Sequence, residues 1–222
     1  MTRSILVFSA HPDDEILGVG GTLQQYQAAG YRIAVCLVTD GSSTQYPNQP
    51  GLWQQKQQEY QNALDLLSVD QLIELKYPDM RLDTVSHAEV CRRLTEIVHT
   101  VQPEIVFTPS DADLNRDHRE VYRASLVACR PVAYLIKALY SYEVLSSSEW
   151  MREAPFSPNY FVPLTENQLR RKQQALALMP TEVRPYPHPR SPEGIAILAQ
   201  YRGLQCGAKF AEAFRLICSY AP

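Results

Sequence analysis

The chain opens on a continuous apolar, β-prone run, Ser4-Ile5-Leu6-Val7-Phe8-Ser9-Ala10, which predicts a strand over residues 5–10 buried on both faces. A helix over residues 18–29 follows, closed by Gly30, and then a second strand over 31–39 with Ile33, Val35, Leu37 and Val38 apolar. Polar residues from Asp40 to Pro50 form a loop. Tyr60, Ala63, Leu64 and Leu67 recur at helical spacing and predict a helix over 52–67. A third strand over 71–77 ends at Pro78-Asp79. The stripe Val90, Leu94, Ile97, Val98 and Val101 marks a helix over 86–101. A fourth strand over 103–108, a helix over 119–129 and a fifth strand over 137–144 continue the alternation. That rhythm predicts an α/β, Rossmann-like three-layer αβα arrangement, with a mostly parallel central sheet and helices on both faces.

The last third is less regular. Residues 159–163 read as a short strand and 165–178 as a helix capped by Thr165. Residues 184–192 hold several prolines around His188 and read as an ordered loop. A helix over 191–201 begins with Pro192 at its first position. Neither a repeat nor a low-complexity tract interrupts the chain. One domain over residues 1–222 is expected, with residues from about 145 to 222 completing a substrate pocket.

Composition narrows the functional classes. With 222 residues, 45% of them apolar, the chain can bury one good core. A net charge of −3 argues against a general nucleic-acid binder. No run approaches the roughly 18 apolar residues of a membrane span. Met1-Thr2-Arg3-Ser4 enters the first strand at once, without a signal-peptide layout. The five cysteines, Cys36, Cys91, Cys129, Cys206 and Cys218, lack CxxC spacing and mostly lie in apolar stretches. They read as buried free thiols of a cytoplasmic protein.

Three clusters follow strand ends. His11-Pro12-Asp13-Asp14-Glu15 comes directly after the first strand. Asp111, Asp113, Asn115, Asp117 and His118 come after the fourth, and Asp79 and Arg81 after the third. A buried strand should not end in an imidazole and three carboxylates unless something compensates the charge. At the carboxyl end of a parallel strand a divalent cation is the expected compensation. If the first and fourth strands meet at the switch point of a doubly wound sheet, His118 approaches His11 and Asp14. Two imidazoles and one carboxylate leave a coordination position open for water, as catalytic rather than structural zinc requires. Such a water has a pKa lowered toward neutral, and a second carboxylate beside it can act as general base. Spacing does not separate the roles of Asp13 and Asp14. Gly18, Gly20 and Gly21 come one turn too late for a dinucleotide loop and read as sites of close helix–strand packing. Tyr46 and Trp53 flank the polar loop after the second strand, where either ring could stack on a sugar.

Ala10-His11-Pro12-Asp13-Asp14-Glu15, Gly18-Val19-Gly20-Gly21 and Asp113-Leu114-Asn115-Arg116-Asp117-His118-Arg119 resemble the LmbE/PIG-L family. Its members are zinc-dependent N-deacetylases acting mostly on N-acetylglucosamine-type sugars. The resemblance continues through Lys56 and Glu59, Tyr77-Pro78-Asp79-Met80-Arg81-Leu82, Pro187-His188-Pro189-Arg190-Ser191 and Ala211-Glu212-Ala213-Phe214. It implies an LmbE-like fold, His11, Asp14 and His118 as metal ligands, and Asp13 as general base. Zn²⁺ is the implied metal, although Fe²⁺ or another divalent ion also suits this donor set. Glu15 would stand behind the site or favour the helix start, and Asp117 would orient an imidazole.

Two positions depart from the family pattern. Several relatives carry a histidine three residues before the last ligand, where this chain has Asn115. An amide donates a hydrogen bond but supplies no proton at neutral pH. His188 matches a late histidine of some relatives and is expected to supply the acid or oxyanion contact, from the same chain or from a neighbouring subunit of a homo-oligomer. Lys56 stands where many relatives have arginine, and lysine lacks the planar two-point grip. Asp79 is expected to bind sugar hydroxyls, and Arg81 or Arg190 an anionic part of the substrate. The expected partner is thus a small N-acetylated sugar or glycoconjugate. The other readings are a metal-dependent esterase or phosphoesterase, and a metabolite-binding module with a structural metal.

Overall fold

The first apolar run becomes β1 (Ser4–Ser9), every residue of which is buried. Its side chains alternate between two separate cores. Ile5 and Val7 join α1 (Asp14–Ala28) and α2 (Pro50–Leu66), while Leu6 and Phe8 join α3 (His87–Val101) and α4 (Arg116–Ala128). This is the three-layer arrangement the alternation predicts. The computed structural model describes residues 3–132, 134 and 136–220. Met1 and Thr2, where the start without a leader was read, lie outside the described residues.

The remaining strands are β2 (Arg32–Thr39), β3 (Gln71–Tyr77), β4 (Ile105–Pro109), β5 (Ala138–Tyr142), β6 (Tyr160–Pro163) and β7 (Ala211–Ser219). Two further helices are α5 (Glu166–Ala177) and α6 (Pro192–Cys206). Among the described residues seven strands form one sheet in the order β3-β2-β1-β4-β5-β7-β6. Strands β1 to β5 are mutually parallel, and β7 is antiparallel to both β5 and β6. The chain winds outward from β1 in both directions, so the β1–β4 boundary is the switch point. The loops leaving β1 and β4 diverge there and open a crevice.

Two sequence expectations change. The first helix starts at Asp14, not Gly18, because Asp14 and Glu15 enter its first turn. Strand β7 was not anticipated; its first four residues are all buried without alternation, and Glu212 among them interrupts the apolar run. That carboxylate accepts the N–H groups of Gly21 at 2.8 Å and Thr22 at 2.7 Å and pairs with Lys172 at 2.6 Å. It therefore ties β7 and α5 to the middle of α1. Thr165 caps α5 through a complete capping box with Gln168. All five cysteines are free; Cys36, Cys91 and Cys129 are buried, whereas Cys206 is exposed on the last turn of α6. No helix among the described residues is long and apolar enough to cross a membrane.

Close packing of α1 rests on Gly18. A Cβ there would lie 2.1 Å from Cδ2 of Tyr142, a fully buried ring whose hydroxyl donates to the Phe8 carbonyl at 2.7 Å. Gly18→Ala should therefore lower stability by about 1–3 kcal/mol through overpacking, read as a fall in the thermal midpoint.

Candidate metal centre

The turn from β1 into α1 places His11, Asp13 and Asp14. The Asp14 carboxylate accepts the backbone N–H of His11 at 2.8 Å, which closes the turn. Asp13 sits between them at φ 139°, a conformation that costs most side chains on the order of 1–3 kcal/mol. Gly41, at φ 60° after β2, lets that loop press on the Pro12 ring: a Cβ would lie 2.2 Å from Pro12 Cδ.

Across the switch point, Asn115 caps α4 by accepting the Asp117 N–H at 2.9 Å, and the first turn of that helix presents His118. His118 Nε2 lies 3.1 Å from His11 Nδ1, and these residues are 107 positions apart in sequence. Asp14 closes the triangle, with Oδ1 at 3.3 Å from His118 Nε2 and Oδ2 at 3.7 Å from His11 Nδ1. Three donor atoms therefore converge within 4.8 Å of one another.

Each imidazole is backed by a carboxylate. Asp117 accepts the Leu82 N–H at 3.1 Å and stands 3.2 Å from His11 Nε2. Asp113 Oδ2 lies 3.1 Å from His118 Nδ1 and is held by the hydroxyls of Ser147 at 2.9 Å and Ser148 at 2.5 Å. Fixing the far ring nitrogen aims the near one inward, as carboxylates do behind metal-bound histidines. Asp117 serves His11 in this way, and Asp113, to which the sequence reading gave no role, serves His118. Asp79 also approaches His11 Nε2, at 3.5 Å, so a second grouping of His11, Asp79 and Asp117 exists. Asp117 is already spent there on Leu82 and the ring.

The electrostatics suit a cation. Burial alone would lower both imidazole pKa values. The carboxylates of Asp14 and Asp113 instead raise His118 well above its ordinary value, and the Asp117 contact with Asp14 and Asp79 raises His11. Burial would raise the Asp14 carboxyl, but the two imidazoles bring it down to about 2. The same field that favours protonated rings favours a divalent ion between them. Two imidazoles with one carboxylate is a donor set that zinc or iron(II) accepts.

Asp13 stands outside this triangle but lines the same cavity, of about 310 Å³. Burial, with Glu182 adding to it, raises its carboxyl to about 7 against the opposing pull of Arg190. Arg190 Nη1 lies 3.3 Å from Asp13 Oδ2 and 2.5 Å from Glu182 Oε2. Glu182 Oε1 in turn lies 2.5 Å from Lys56 Nζ, and Lys56 also donates to Gln45 Oε1 at 2.8 Å. The sequence reading did not single out Glu182. Glu59 Oε2 fixes its place by accepting both the N–H and the hydroxyl of Thr181, at 3.0 and 2.6 Å.

Asp79, Lys56, Asn115 and Arg190 all line the cavity. Asn115 spends its oxygen on the helix cap and turns its amide nitrogen toward Met80 Sδ at 3.4 Å. Glu15 lies beneath the site, where it accepts the Ser9 hydroxyl at 2.8 Å, and burial pushes it up to about 8.

Two expected contacts are not brought together. His188 does not line the cavity; its Nδ1 accepts the Arg190 N–H at 3.1 Å, which turns the ring onto its own loop. Arg190, two residues later, points inward instead. Arg81 is exposed and also lies off the cavity, while its carbonyl accepts the Thr84 N–H at 2.9 Å to start the short helical turn Leu82–Thr84. Tyr46 and Trp53 bond elsewhere, to the Thr181 carbonyl and the Tyr46 carbonyl respectively, and line no part of the cavity.

Comparison with known proteins agrees with this geometry. The model of the PIG-L family, described as GlcNAc-PI de-N-acetylase, matches residues 6–129. That segment carries every member of the triangle and both backing carboxylates. An uncharacterised deacetylase of Escherichia coli, YaiS, is 33% identical over 179 residues, covering 78% of this chain and 89% of its own. Among solved structures, the N,N'-diacetylchitobiose deacetylase of Pyrococcus horikoshii superimposes with a TM-score of 0.78 at 22% identity, over 97% of this chain and 84% of that one. The 4-carboxy-2-hydroxymuconate hydratase of Pseudomonas putida also reaches 0.78, at 19% identity over 99% and 98% of the two chains, so at this distance likeness reports the fold alone. The matched family segment and the identity to YaiS together show that this chain belongs to the PIG-L family of de-N-acetylases.

Proposed function

We propose that the protein removes the acetyl group from an N-acetylated, GlcNAc-type sugar or glycoconjugate by metal-assisted hydrolysis. One observation carries the reading: two imidazoles and a carboxylate converge within 4.8 Å, while a fourth ionisable group, Asp13, shares the cavity without joining them. A metabolite-binding module with a structural metal has no use for that separate base.

A divalent ion held by His11, Asp14 and His118 would polarise the amide carbonyl and lower the pKa of water. Asp13 takes a proton from the attacking water, aided by its raised affinity for protons. It returns that proton to the departing amine, so one group serves as base and then as acid. Arg190 steadies Asp13 through their 3.3 Å contact. The Asn115 amide nitrogen faces only a weak acceptor, Met80 sulfur, and is free to turn toward negative charge growing on the carbonyl oxygen. Asp79 accepts a hydrogen bond from a ring hydroxyl. His188 takes no part within one subunit; its role is limited to shaping the Arg190 loop. The whole chain acts as one unit, and the segment beyond about residue 145 closes the pocket with Ser147, Glu182 and Arg190.

The test is acetate release from N-acetylglucosamine glycosides. Turnover should vanish after chelation and return with Zn²⁺ or Fe²⁺. Acetate release that survives exhaustive chelation would defeat the metal-assisted reading. Faster hydrolysis of a simple acetyl ester than of any N-acetyl sugar would favour an esterase instead.

A further inference from the structure

Glu182 stands between the two cations that line the cavity and engages both. One carboxylate oxygen lies 2.5 Å from Lys56 Nζ and the other 2.5 Å from Arg190 Nη1. Arg190 also faces Asp13. Lys56 is 3% exposed and Glu182 2%, so neither has water to retreat to. Among the described residues of the cavity wall, no cation remains without a carboxylate beside it. The other carboxylates facing the cavity, Asp13, Asp14 and Asp79, add negative charge that a divalent ion at the two imidazoles would offset.

An anionic group on the sugar ring would meet this wall badly. To bind Lys56 or Nη1 of Arg190 it would have to displace the buried Glu182 carboxylate from a close contact. To bind elsewhere it would lie against Asp13 or Asp79. Like charges brought together in a desolvated pocket are strongly disfavoured. A neutral sugar lacks that conflict, since hydroxyls can donate to Asp79 and accept from Gln45 or Asn115.

We infer that Glu182 is a specificity-determining residue that occupies Lys56 and Arg190, and that the protein therefore selects N-acetylamino sugars carrying no phosphate or carboxylate on the ring. The inference rests on the deacetylase reading and names the substrate class for it. On this inference Arg190 does not bind the anionic part of a substrate expected from the sequence, because its Nη1 already faces both Asp13 and Glu182.

The experiment compares the zinc-loaded full chain on two neutral substrates, methyl N-acetyl-β-glucosaminide and N,N'-diacetylchitobiose, with N-acetylglucosamine 1-phosphate and 6-phosphate. The neutral sugars should lead in kcat/KM by at least about 100-fold. Glu182→Gln keeps the shape and releases both cations, so the ratio of phosphorylated to neutral turnover should rise at least about tenfold. Equal or better turnover of either phosphate by the unmodified protein overturns the inference, whether or not the variant folds. So does a folded variant whose ratio stays put. Calorimetric binding of glucosamine against glucosamine 6-phosphate separates this claim from the parent one. If no substrate yields acetate but glucosamine binds more tightly, the deacetylase reading falls and the charge selection stands. If the phosphate binds equally well, the charge selection falls.

Discussion

Asp13→Asn should lower kcat for acetate release by about 10³-fold while leaving the metal content and the fold intact. The substitution removes the carboxylate that lines the cavity outside the triangle and serves as base in the proposed mechanism. It should be tolerated structurally. Asparagine is among the few residues that accept positive φ, and Asp13 sits at 139°. Arg190 keeps its partner Glu182 at 2.5 Å, so no buried cation is stranded. Metal analysis beside steady-state kinetics checks the outcome. A variant that retains full turnover would remove Asp13 from the mechanism; one that loses its metal would make it a ligand.

His118→Ala has the opposite signature. It deletes one corner of the triangle and leaves Asp14 and Asp113 facing the gap without the imidazole that joins them. Metal affinity should collapse and activity fall to background, at least about 10³-fold down, with zinc content dropping in parallel. Excess Zn²⁺ should restore little. His118→Gln fills the space with a neutral side chain and controls for disturbed packing, monitored by circular dichroism. Zinc retained at one equivalent in both variants would show that the ion is held elsewhere, with the grouping of His11, Asp79 and Asp117 as the place to look.

The triangle was legible in the sequence because its chemistry is concentrated. His11, Asp13 and Asp14 belong to one short turn, and His118 follows a strand that can lie beside β1 at a switch point; the family resemblance, not the spacing, chose Asp14 over Asp13. The parallel half of the sheet was legible for a similar reason: strands buried on both faces are continuous apolar runs. The rest depended on contacts that leave no local trace. Glu182 is a single acid in a proline-rich stretch, and nothing near it in sequence marks Lys56 as its partner. Asp113 and Asp117 look equivalent until the turn of α4 assigns one to each imidazole. His188 was expected at the site because it matches a late histidine of some relatives, yet its Nδ1 accepts the N–H of Arg190 on its own loop. Strand β7 was hidden because its buried glutamate serves the helix N–H groups of Gly21 and Thr22 and breaks the apolar pattern.

The placement of β7 governs the order in which the molecule can be completed during synthesis. β6 pairs in the sheet only with β7, which follows the other six strands in chain order, and the carboxylate that braces α1 travels with it. At roughly 5–20 residues per second, the parallel half can gather around β1 seconds before that strand emerges. Until then β5 presents an unpaired edge, so nascent chains stalled short of β7 should be the form most in need of a chaperone.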